Sequence, residues 1–139
     1  LPAQGHEAQA LGWSGPRAAY VREVVLRVDG LPVVFARSLT AYPDSLGAWR
    51  SLRGLGSRPL ADVLFLRQGI ARSPLQFTSI KPAAALRRQI ARQWMAATGQ
   101  SLLPRSLPAR RSVFRHAGAP LLVMEVFAAL PAPWNWPIE

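Results

Sequence analysis

A chain of 139 residues, half of them hydrophobic (50%), is long enough for one buried core and too apolar for a disordered segment. It has no apolar run of the roughly 18 residues that a membrane-spanning helix requires, and no cysteine for a disulfide, a thiol nucleophile or a thiolate metal site. Seventeen Lys and Arg against seven Asp and Glu give a net charge of +10, and 16 of the 17 cations are arginine. Such a field suits nucleic acid, an anionic membrane surface or a small acidic ligand, and the scatter of the arginines along the chain argues against the first.

In chain order, residues 1–18 are rich in Gly, Ala, Gln and Pro and read as a loose lead-in. They lack the charged and apolar regions of a signal peptide, which makes the cytoplasm the expected compartment. "AAYVREVVLRV" and "LPVVFARSLT" then read as a hairpin, because Asp29-Gly30 is a preferred pair for a two-residue type I′ turn. Asp44 is the expected N-cap of a short helix with Leu46, Trp49 and Leu52 on one side and Gly54 at its end. "RPLADVLF" reads as a helical turn or two after Pro59. From Pro82 to about Ala97 a longer helix is expected, with Leu86, Ile90 and Trp94 in one stripe, Gly99 beyond its end, and Arg87, Arg88 and Arg92 on a solvated face. "RRSVFRHAGAPLLVMEVF" reads as a second hairpin turning near Ala117-Gly118, and "LPAPWNWPIE" as a Pro-rich tail whose Trp134 and Trp136 dock by simple hydrophobic contact.

The hairpins carry the chemistry. With a two-residue loop at Asp29-Gly30, Val28 is expected opposite Leu31, Leu26 opposite Val33, Val24 opposite Phe35, and Arg22 opposite Arg37. The three apolar pairs form the buried face, which turns both arginines inward. Opposed Cβ atoms lie about 5 Å apart, where two unit charges repel by on the order of 3 kcal/mol at an effective dielectric near 20. An anion between them is the expected remedy. In the second hairpin Glu125 alternates with Leu121, Val123 and Phe127, and the turn sets Arg110 opposite it. A structural ion pair with Arg110 therefore competes with a pocket role for Glu125, and snorkelling competes for Arg22 and Arg37.

Two arginine forks suit a dicarboxylate, and a glutamate in apolar surroundings can accept a proton or hold a hydroxyl. His6 and His116 read as surface residues. No nucleophile elbow or phosphate loop occurs, and the remaining acids are too dispersed for a metal site. Acid-base or elimination chemistry remains.

The ordered series "YVREVVLRVDGLPVVFARS", "LGSRPLADVLF" and "ARRSVFRHAGAPLLVMEVFAALP" resembles the chorismate lyase family. The likeness spans about residues 19–131, with 1–18 as lead-in and 132–139 as tail. It implies an α+β fold, a single mostly antiparallel sheet covered by helices. It also implies cleavage of chorismate to 4-hydroxybenzoate and pyruvate, the first step of ubiquinone biosynthesis, without metal or cofactor. The ligands are then small molecules, with no nucleic-acid partner and no membrane insertion, and the protein a monomer. By the same resemblance Arg22 holds the ring carboxylate with the main-chain amide of Leu60. Arg37 attracts the enolpyruvyl carboxylate, and Glu125 meets the ring hydroxyl, which makes Glu125 and Arg37 the expected catalytic pair. Ala61 stands where the family usually has Gly, Arg58 where it has a small or hydroxylated residue, and nothing before Leu1 matches the N-terminal lid segment of relatives. The fold is also similar to the effector-binding domain of GntR-type regulators, which makes a non-catalytic sensor of a small acid the alternative.

Overall fold

The computed structural model describes residues 5–15, 17–56, 58–64, 69–82, 84–102 and 106–128. Strands β1 (Ala19–Val28) and β2 (Leu31–Ala41) are joined at Asp29 and Gly30, whose φ values of 51° and 78° are those of a type I′ turn. Strands β5 (Leu107–His116) and β6 (Ala119–Phe127) turn the same way at Ala117 and Gly118, with φ of 50° and 79°. Both hairpins fall where the turn residues put them.

The hairpins pair through β2 and β6, giving the order β1-β2-β6-β5, and the far edge of β5 is shared by two short strands. Strand β3 (Ile70–Arg72) pairs with residues 114–116 and β4 (Gln76–Ile80) with residues 107–111, and every pairing is antiparallel. The fold is thus α+β, one antiparallel sheet with helices against it. The two short strands, one of three residues and one of five, were not anticipated from the sequence.

The first hairpin departs from its expected register. Val28 faces Leu31 and Arg27 faces Pro32, but Leu26 faces Val34, so Val33 is an extra residue on β2. Proline has no N–H for the ladder and is tolerated inside a sheet at a bulge. Beyond the bulge every partner moves by one: Arg22 faces Ser38, and Arg37 faces Glu23. A shift of one residue exchanges the faces of a strand. Arg22 and Arg37, expected side by side, therefore sit on opposite faces of the sheet.

One face carries Phe35, Met124, Val126, Ala109 and Leu107, packed against Ile90 and Trp94 of α4 (Ala85–Thr98). That helix begins three residues later than expected and ends on Gly99 at φ 71°, a left-handed cap. Arg88 and Arg92 are exposed as expected, but Arg87 is buried, and desolvation lowers its pKa. Helix α1 (Gly5–Ala10) lies within the segment read as a loose lead-in, and Leu11 just after it packs on Leu39 and Leu122. The other face carries Phe114, Leu121 and Val123 beneath Trp49, Leu52, Leu60 and Leu64.

The single helix expected from Asp44 is instead α2 (Tyr42–Ser45) followed by a 3-10 helix (Arg50–Gly54). Asp44 lies inside α2, and its carbonyl accepts the N–H groups of Gly47 and Trp49. Trp49 and Leu52 are buried as expected, whereas Leu46 is exposed. Helix α3 (Ala61–Leu64) follows Pro59. The proposed docking of Trp134 and Trp136 falls outside the described residues.

Candidate active site

A cavity of about 240 Å3 opens on the face that carries Arg22. Its floor is two rows of side chains crossing the sheet. Arg22, Ser38, Val123 and Ser112 form one row, and Val24, Ala36, Glu125 and Arg110 form the next. Pro59, Leu60 and Leu64 close it from above, and Arg72 and Leu75 flank it on the β3 side. Strand alternation explains the floor, because residues two apart on each strand reach the same face.

Arg22 is 9% exposed. Its Nη2 donates to the carbonyl of Gly56 at 2.9 Å and to that of Arg58, and Nε donates to Gly56 at 3.3 Å. These bonds tie β1 to the loop that leads into Leu60. Among the described residues Arg22 faces no carboxylate, and its Nη1 carries no hydrogen bond. Burial lowers its pKa and outweighs an opposing effect from Tyr20. A buried cation whose acceptors are neutral carbonyls retains its field for an incoming anion.

Glu125 stands across the cavity floor. Adjacent strands are about 4.8 Å apart and alternate residues about 6.8 Å, which puts its Cα on the order of 12 Å from that of Arg22. Its Oε1 accepts Nε of Arg110 at 2.8 Å, with both side chains partly exposed. The guanidinium of Arg110 also lies 5.5 Å from the centroid of the Phe127 ring. The ion pair expected from the turn register is present, and it leaves Glu125 lining the cavity.

Leu60 lines the cavity wall just before α3. Its carbonyl accepts the N–H groups of Val63 and Leu64, which fixes the turn.

Arg37 borders the cavity along β2, but its guanidinium is engaged on the opposite face of the sheet. Nε and Nη2 grip the two carboxylate oxygens of Glu7 at 2.7 and 3.0 Å, and Nη1 reaches Glu23 at 2.8 Å. Arg37 is 1% exposed and Glu7 0%. Burial acts to lower the arginine's pKa, but hydrogen bonds and charge from Glu7, then Glu23, outweigh it and hold the pKa above the usual value. The anion that the inward arginine called for is thus supplied by the protein. The three expected heads do not converge: Arg22 and Glu125 share one hollow, and Arg37 is elsewhere.

Ser38 and Ser112, buried hydroxyls in the Arg22 row, were missed from sequence, as were Arg72 and Phe114 in the cavity wall. Register alone would have found the serines once the bulge was placed. A second cavity, about 420 Å3, lies on the other face beside His6, Gln76 and Arg111. His6 is exposed as expected, and Nη1 of Arg111 lies 3.3 Å from its Nδ1. His116 is half-buried, edge-on to Trp49 at 5.9 Å. Among the described residues no three His, Asp or Glu side chains gather as metal ligands, and no helix is long and apolar enough to cross a membrane.

A family model described as chorismate lyase matches residues 3–135. The chain belongs to the chorismate lyase family. A protein named probable chorismate pyruvate-lyase from Albidiferax ferrireducens is 64% identical over 130 residues, which are 94% of this chain and 66% of that one. A protein of the same name from Azoarcus sp. is 48% identical over 127 residues, 91% of this chain and 65% of that one. The chain thus spans just under two thirds of the length of these chorismate lyase relatives. Among solved structures, the C-terminal domain of PhnF superposes with a TM-score of 0.63 at 21% identity, covering 92% of this chain and 76% of that one. A GntR-family transcriptional regulator from Enterococcus faecalis superposes with a TM-score of 0.58 at 15% identity, covering 100% of this chain and 88% of that one. At such identities the likeness is one of fold.

Proposed function

We propose that the Arg22–Glu125 cavity binds chorismate and converts it to 4-hydroxybenzoate and pyruvate. The observation that carries this reading is Arg22: a buried guanidinium, paired with no described carboxylate, that lines the same largely apolar hollow as Glu125 in a chorismate lyase family member. Arg22 and the Leu60 amide hold the ring carboxylate, and Glu125, kept in place by Arg110, accepts the ring hydroxyl. The proton on the hydroxyl-bearing ring carbon leaves and the C–O bond to the enolpyruvyl group breaks. The ring becomes aromatic, and the departing enolpyruvate takes up a proton on carbon to become pyruvate.

Aromatisation supplies the driving force, so the residues mainly orient and desolvate the substrate. Arg37 then has a positioning role from behind the sheet. It fixes β2, whose Ala36 and Ser38 form the cavity floor. The reading extends to a monomer in the cytoplasm carrying out the first step of ubiquinone biosynthesis on small-molecule ligands. The likeness to GntR-type regulators supports a shared fold only, whereas the sequence relatives carry the lyase name, and a sensor role is not favoured.

Incubation with chorismate, followed by chromatography for 4-hydroxybenzoate and an assay for pyruvate, tests the reading. Equal amounts of the two products are expected. Tight binding of chorismate with neither product formed would favour the sensor, and no binding at all would remove both readings.

A further inference from the structure

The substrate of the proposed reaction has two carboxylates, and once Arg37 is committed to Glu7 and Glu23 only Arg22 has been given one of them. The cavity wall holds three more arginines. Arg110 is neutralised by Glu125. Arg111 is bonded to Gln76 at 2.9 Å and approaches His6 at 3.3 Å. Arg72 remains: it lines the cavity, is exposed, and its side chain makes no hydrogen bond or ion pair among the described residues.

Its placement is set by register. Arg72 pairs with Phe114 on β5, and Phe114 belongs to the same face as Ser112 and Arg110. Arg72 therefore looks over the cavity from the β3 edge while Arg22 holds the β1 edge, with Glu125 on a strand between them. A molecule held at its ring carboxylate by Arg22 and at its hydroxyl by Glu125 still has one substituent without a partner, and Arg72 lines the same cavity.

We infer that Arg72 is the second carboxylate site, binding the enolpyruvyl carboxylate of the dianionic substrate and steadying the charge on the departing enolpyruvate. The inference rests on the chorismate reading above and deepens it. It also gives the site a means of discrimination. The product that stays behind has one carboxylate and needs only Arg22, whereas the leaving group, exposed at the rim, is released from a single solvent-facing cation.

The test compares two ligands in the intact protein and its variants Arg72→Gln and Arg22→Gln by calorimetry, with chorismate binding measured before turnover or by KM. Loss of a charge-assisted hydrogen bond at a partly solvated site predicts about tenfold weaker chorismate binding in R72Q. Binding of 4-hydroxybenzoate should stay within about twofold of wild type, as for an independent site. R22Q should weaken both ligands, and Arg72→Lys should recover part of the loss for chorismate. Unchanged chorismate affinity in R72Q, or equal loss for both ligands, overturns the Arg72 assignment while leaving the chorismate reading standing. Failure of the wild-type protein to bind chorismate overturns both.

Discussion

Both side-chain oxygens of Glu7 are held by the guanidinium of Arg37, at 2.7 Å from Nε and 3.0 Å from Nη2, with neither residue more than 1% exposed. The pair is separated by 30 residues in sequence and clamps α1 onto β2. Removing one partner leaves a buried charge stranded, which typically costs about 3–5 kcal/mol. Arg37→Met is therefore expected to lose that much stability in urea unfolding. Pairing it with Glu7→Leu should recover a substantial part, because the stranded carboxylate goes too. The folded fraction of Arg37→Met should bind 4-hydroxybenzoate within about twofold of wild type, since the guanidinium is on the face away from the cavity. A stability loss below about 1 kcal/mol, or a large loss of affinity at full folding, would return Arg37 to the pocket.

The clamp also shows what sequence could and could not reveal. Asp29-Gly30 and Ala117-Gly118 announced both hairpins, and alternation announced that Arg22, Arg37 and Glu125 were out of place on strands. The inward burial of Arg37 was legible, but its partner was not. Glu7 sits on a six-residue helix, too short for a periodic pattern, and is held by a contact that no local signal encodes. The face of Arg37 was lost to a single bulge. Pro32, inside a strand, was the available hint, because a proline without an N–H cannot take a regular place in the ladder. Leu60 came only from the family resemblance, since a main-chain contact leaves no side-chain trace.

Arg22 has two tasks, holding the carbonyls of Gly56 and Arg58 and lining the cavity, and they separate experimentally. Arg22→Ala removes bonds to two carbonyls near solvent, a loss of about 1–2 kcal/mol in stability. Affinity for 4-hydroxybenzoate should fall by tenfold or more, because a charge-assisted fork is lost from a buried position. Calorimetry on the folded variant checks this. Wild-type affinity would show that the anion binds elsewhere.

Glu125 should give the cavity its preference for a hydroxylated ring. Arg110 at 2.8 Å holds its carboxylate in place, and a carboxylate is a strong acceptor for a phenol. Wild-type protein is expected to bind 4-hydroxybenzoate about tenfold more tightly than benzoate. In Glu125→Gln that ratio should shrink toward one, with benzoate affinity little changed. An unaltered ratio would mean that the hydroxyl is read by another group, with Ser38 and Ser112 the next to test.

His6 links α1 to the sheet in a way that depends on pH. An arginine can only donate, so the 3.3 Å approach of Arg111 Nη1 requires an unprotonated Nδ1 on His6. Burial lowers the pKa of His6 from 6.5; Glu7 pulls it upward, and Arg111 and Arg37 push it further down. With the folded value below the unfolded one, the unfolded chain takes up the proton first as pH falls. The contribution of His6 to stability is therefore intact above pH 6.5, declines between 6.5 and the folded pKa, and is level below it. The effect is small because the residue as a whole remains largely accessible to solvent. An NMR titration of the His6 ring should show a midpoint under 6.5. Arg111→Gln should raise that midpoint by removing the nearest positive charge, and His6→Gln should flatten the stability slope in that window. A midpoint above 6.5 would mean that Glu7, although gripped by Arg37, still dominates the field at the ring.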